Sequence, residues 1–193
     1  FNTYLNPGKI TIPQTNARIA YQLNSDTALA LNLDHMKYVV SDAQSVSASG
    51  QYLQKNYPSA GQQYLSPAFM HYEHTDGLNV VSLEYEKKYP INHLPGNLKM
   101  QFFALLGAGI VIPKSNVTMT MLGQVRNDKF HLAGTNLDVA GGLEVDFSKE
   151  YFARTSYKVG RVHLSDVVTS ARQDKASQII NYQEASLTLG LRF

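Results

Sequence analysis

The chain has no cysteine and no tryptophan, and only 17% of its 193 residues are charged. Without cysteine there are no disulfides, thiolate metal ligands or thiol nucleophiles, an absence that suits a bacterial cell-envelope protein. Charge this sparse, against a usual share of about 25%, excludes a heavily solvated, disordered or coiled-coil chain. Lys and Arg number 17 and Asp and Glu 15, which leaves +2. No concentrated basic patch accompanies that balance, so nucleic acid is not an expected partner. Long hydrophobic runs are missing too. The longest, Phe102 to Ile112, stops at Pro113, short of the roughly 18 apolar residues that a membrane-spanning helix needs. Phe1 opens the chain without the basic and apolar segments of an export signal, so any such signal is expected to have been removed or never included.

What is present is alternation. Ala185, Leu187, Leu189, Leu191 and Phe193 share one face of an extended strand, and Glu184, Ser186, Thr188, Gly190 and Arg192 share the other. Upstream, Leu137, Val139, Leu143 and Val145 lead through Asp146–Glu150 to Tyr151, Ala153, Tyr157 and Val159, which reads as a hairpin. Ile19, Tyr21 and Leu23 followed by Leu29, Leu31 and Leu33 make a second. Val81, Leu83 and Tyr85 followed by Leu98, Met100 and Phe102 make a third. Capped stretches with helical periodicity are absent.

Short links at 24–27, 89–97 and 147–150 interleave with longer polar ones at 42–66, 114–130 and 165–178. Short turns on one rim and long loops on the other are the pattern of transmembrane barrels. The expectation is an all-β fold: a single up-and-down antiparallel transmembrane β-barrel over residues 1–193, with eight strands and a filled lumen. Seven strands are readable from the C-terminus backward. The eighth is expected within Phe1–Ile12 or before it.

A soluble barrel such as a lipocalin alternates in the same way, and charge discriminates between the two. Placing the small and charged face inward gathers Arg18, Lys99, Arg154, Lys158 and Arg192 with Asp34, Glu84, Asp138, Glu144 and Glu184. Such a balanced set pairs across a narrow lumen and plugs it, whereas a lipocalin interior is apolar enough to hold a ligand. Aromatics near the short-turn rim (Tyr85, Tyr89, Phe147, Tyr151, Phe193) fit an interfacial girdle. The mean hydropathy of −0.24 is no objection, because alternation hides a lipid-facing surface from any average.

The last strand, Leu187-x-Leu189-x-Leu191-x-Phe193, resembles the closing strand of small bacterial outer-membrane β-barrels, and Gly142 to Arg154 is similar to the strand-turn-strand of their eight-stranded members. The resemblance implies an outer-membrane location and makes Leu189, Leu191 and Phe193 an assembly signal. One departure is Phe102–Ile112, where both faces are apolar.

The richest polar cluster is Met70-His71-Tyr72-Glu73-His74-Thr75-Asp76-Gly77-Leu78. It is similar to the His-x-Ser-Asn signature of outer-membrane lipid A 3-O-deacylases, in which a His activates a Ser and a Glu orients the His. Carried over, His71 matches the base and Glu73 stands where the Ser belongs. If His74 is the base, the adjacent Thr75 is the nearby hydroxyl. Glu84 or Glu86 is then the orienting carboxylate. Candidate catalytic residues are thus His71, His74 and Thr75.

Continuing the strand registers places His35, Lys37 and Glu73 outward near the long-loop rim, as lipid- or partner-facing residues. No cofactor is expected: Gly107-x-Gly109 lacks the following helix of a phosphate loop, and the His, Asp and Glu spacings match no metal site. The preferred function is a structural or accessory outer-membrane barrel, not an open channel. Its expected partners are membrane lipid, lipopolysaccharide or another outer-membrane protein. The alternative is a deacylase-like hydrolase acting at the outer leaflet.

Overall fold

Each alternating segment becomes a strand. The computed structural model describes residues 15–52, 54–56, 61–91, 99–120 and 129–193, with the side chains of Tyr52, Lys55 and Thr75 outside the described set. In chain order the strands are β1 Asn16–Gln22, β2 Thr27–Val39, β3 Gln44–Ser47, β4 Gln51–Tyr52, β5 Lys55–Asn56, β6 Gln62–Leu65, β7 Met70–Ile91, β8 Lys99–Met119, β9 Gly134–Asp146, β10 Tyr151–Val168 and β11 Lys175–Leu191. Seven of them form one sheet in the order β1-β2-β7-β8-β9-β10-β11, and every neighbouring pair is antiparallel. These are the seven strands read from the alternation. The eighth, expected within Phe1–Ile12, lies outside the described residues. No helix among the described residues is long and apolar enough to cross a membrane, which says nothing of crossing by strands.

The sheet rolls into a barrel. Lys158 of β10 reaches Asp34 of β2 at 2.7 Å although three strands separate them in the sheet. At the two ends of the sheet, the Asn16 amide on β1 donates to Glu184 on β11 at 2.5 Å, and Gln178 on β11 donates to the Tyr38 hydroxyl on β2 at 2.5 Å. Among the described residues these side chains, not backbone pairing, link β1 to the wall opposite its β2 edge.

Toward the short turns the interior is ionic. Glu86 accepts from Arg18 at 2.8 Å and Arg154 at 2.5 Å, and Glu84 from Arg18 at 2.7 Å and Lys158 at 3.3 Å. Glu144 accepts from Lys88 at 3.1 Å, Gln101 at 2.6 Å and Arg192 at 2.6 Å. Arg154 also lies flat over Phe103, 3.6 Å from its ring centroid. Charges this deeply buried persist only when paired and hydrogen-bonded, and this mesh meets both conditions. Toward the long loops the interior turns apolar, with Met36, Tyr72, Leu78, Val80, Val111, Val117, Val162, Leu164 and Val167 in one cluster. That cluster gives the apolar inward side of Phe102–Ile112 its partners.

Three expectations need correction. Lys99 is exposed at the short-turn rim and makes no ion pair among the described residues, because it begins its strand; Glu86 and Lys88 join the inward set instead. The polar stretch 42–66 is not a plain loop: β3 pairs with β6 and β4 with β5, a nested hairpin whose strands need only each other's backbone. The loops expected at 114–130 and 165–178 are shorter than predicted. β8 continues to Met119 because β7 begins at Met70 and supplies its hydrogen bonds, and β10 and β11 stay paired as far as Val168 and Lys175.

Candidate functional site

The candidate residues gather where β2, β7 and β8 rise beyond the apolar belt. There β7 carries an irregularity. Tyr38 faces His74 and Met36 faces Leu78, so Lys37 alone on β2 spans Thr75, Asp76 and Gly77 on β7. Lys114 of β8 spans the same three residues. Gly77 takes φ +90, and a Cβ there would lie 2.3 Å from the His35 ring. Only glycine meets both demands without strain. Asn79 stitches the bulge shut by donating to Ile112 O at 3.1 Å and Asp76 O at 3.2 Å while accepting from His35 Nδ1 at 2.7 Å.

Outward on this wall stand His35, Lys37, His71, Glu73, Asp76 and Lys114. Lys37 is exposed. Lys114 pairs with Asp76 and packs on the exposed Phe130 ring. Glu73 accepts from Asn116 at 3.0 Å and lies 3.3 Å from His71 Nε2. Burial pushes the Glu73 carboxyl up, but the bonds from Asn116 and His71 and the charge of Lys37 outweigh it, so it rests below the usual carboxylate range.

His74 points the other way. It is fully buried, its Nδ1 is 3.0 Å from Ser115 Oγ, and its ring is flanked by Tyr38 and Tyr72 with centroids 5.7 and 5.5 Å away. Burial, with a lesser push from His131, lowers its pKa to about 4, so it is neutral at pH 7.

The three proposed catalytic residues are therefore not assembled into one site. His71 and His74 occupy opposite faces of β7, and the side chain of Thr75 lies outside the described set. The hydroxyl that meets His74 is Ser115, and the residue opposite His71 in the register is Thr118. Neither was singled out in the sequence, because no motif carries the β7–β8 register. A Ser–His unit also needs a third group to orient the base, and His74 Nε2 has no hydrogen-bond partner. Among the described residues no three His, Asp or Glu side chains converge as a metal site. Leu189, Leu191 and Phe193 are all exposed at the short-turn end.

The chain matches no protein-family model, no curated protein and no solved structure. The site therefore has to be read on its own chemistry.

Proposed function

We propose that the chain is an outer-membrane β-barrel with a filled interior, a structural or accessory element rather than a channel, whose polar outer wall at the long-loop rim meets lipopolysaccharide head groups or another outer-membrane protein. One observation carries this reading: the polarity of the barrel is inverted. Leu83 is 60% exposed while its neighbour Glu84 is 1% exposed, and the pattern holds around the wall at Ile19, Leu31, Leu106, Leu137 and Leu189. Each such side chain costs about 1.5–3 kcal/mol in water relative to burial, and a continuous belt far exceeds the patches that soluble monomers tolerate. In lipid the same belt is satisfied. Its extent on β7, from Val81 to Tyr89, is close to the roughly 9–11 residues of a tilted transmembrane strand.

The barrel's behaviour in detergent tests the reading. It should stay folded in micelles, show a β-rich circular-dichroism spectrum and migrate differently on gels when unheated. A monomer fully soluble without detergent overturns it.

The hydrolase reading is favoured by the outward His71–Glu73 pair at 3.3 Å. Mass spectrometry of lipid A from cells with and without the protein separates the two. Loss of one acyl chain that depends on His71 or His74 establishes the hydrolase; an unchanged acylation pattern in wild type and in the His71→Ala, His74→Ala and Thr75→Ala variants favours the accessory role.

A further inference from the structure

The interior ion network is complete except at two places. Asp34, Glu84, Glu86, Glu144 and Asp146 each have a Lys or Arg nitrogen within 2.7 Å. Asp138 and Glu184 have none within ion-pair distance among the described residues. Lys158 stands opposite Glu184 in the register, but its ammonium is drawn to Asp34 and Glu84. Asp138 is 3% exposed and is bonded only to the Asn136 amide, at 2.5 Å. Glu184 is bonded only to Asn16.

Neutral oxygens complete the pattern. Asn136 is itself 1% exposed, and because its nitrogen serves Asp138, its carbonyl oxygen is left beside the same carboxylate with no donor. Asp138 Oδ1, Glu184 Oε2 and the Tyr182 hydroxyl are likewise buried without partners, and the Tyr182 ring extends across Gly160, which lies between Asp138 and Tyr182 in the register. Orphaned buried oxygens are costly, and every member of this set accepts toward a cation.

We propose that Asp138 and Glu184, with the carbonyl of Asn136 and the hydroxyl of Tyr182, bind a divalent cation of the calcium or magnesium class inside the barrel. The donors are all oxygen, as those hard ions require, and two carboxylates lacking a counter-charge match the charge of one such ion. Imidazole and thiolate are absent from the set, so zinc or copper is disfavoured. The assignment does not depend on the outer-membrane reading, since it concerns only the interior.

Tyr182 supplies a readout, because a tyrosine beside the site sensitises terbium emission and the chain has no tryptophan to compete. The full chain, stripped with chelator and held in detergent micelles, should give saturable terbium luminescence that calcium displaces, and calcium should raise its melting temperature. Asp138→Asn and Glu184→Gln should each weaken binding by about tenfold or more, the scale that loss of even an outer partner of a metal site brings, while Tyr182→Phe should dim the emission at saturation. If Asp138→Asn fails to show the heat-dependent gel shift of a folded barrel, Glu184→Gln carries the test. Absence of saturable binding, equal affinity in the variants, or variants that are more stable than wild type with no response to calcium would overturn the site, the last by showing that water or bound protons satisfy these oxygens.

Discussion

Lys158 Nζ lies 2.7 Å from Asp34 Oδ2, with both side chains nearly excluded from solvent, and this contact ties the tenth strand to the second across the middle of the barrel. Replacing Lys158 with Met leaves Asp34 buried without its cation, and removing one partner of such a pair costs about 3–5 kcal/mol. The Lys158→Met, Asp34→Asn double variant should recover part of that loss. Unfolding monitored by the gel shift in urea measures both, and equal losses in the single and double variants would show that the two residues are not coupled.

The bulge on β7 offers a second coupled pair. Gly77→Ala should cost about 1–3 kcal/mol from its positive φ, plus the clash with His35. His35→Ala removes the clash but not the backbone strain, so the double variant should be more stable than Gly77→Ala alone. No recovery would mean that His35 can move aside freely.

His74 makes stability depend on pH. Its folded pKa, about 4, lies below the ordinary value of 6.5, so the unfolded chain binds the proton more readily. The contribution is fully present above pH 6.5 and is lost as pH falls to about 4, by roughly 3 kcal/mol. His74→Gln does not titrate, so wild type should lose that much more than the variant over the window. Parallel pH profiles would contradict the buried, neutral imidazole.

Assembly should depend on the last residues. Deleting Phe193 or changing it to Asp should lower the amount of barrel in the membrane far more than Tyr64→Ala, which alters an exposed hairpin residue. Membrane fractionation reads the difference, and equal levels would remove the assembly role.

Transport should be absent. With Glu84, Glu86, Glu144, Arg154 and Lys158 locked together in the interior, planar bilayers should show no stable porin-like conductance. Large, long-lived steps would contradict the filled lumen.

Strand number, hairpin pairing and the facing of nearly every charge were legible in the sequence because a two-residue period needs no tertiary information. Leu83 and Glu84 declare their faces side by side. The candidate site was less legible. That His74 points inward follows from counting back along β7, but its meeting with Ser115 depends on the pairing register, which no local pattern encodes. The strand extensions to Met119 and Val168 were hidden because polar residues beyond the apolar belt look like loop, although backbone pairing continues wherever a neighbour offers partners. Lys99 was misplaced because alternation carries no information about where a strand meets the rim.

The bulge at Thr75–Gly77 gives β7 two residues more than either neighbour, and the parity of that number matters. An even surplus lets Tyr72 and His74 return to the same side as Leu78 and Val80. Loss of one residue would turn the protruding end inside out, sending His74 into the surroundings and Glu73 into the apolar cluster, whereas loss of two would shorten the strand and leave its sidedness intact. The segment thus works as a spacer that admits change only in pairs, a reading frame written in side-chain direction instead of codons.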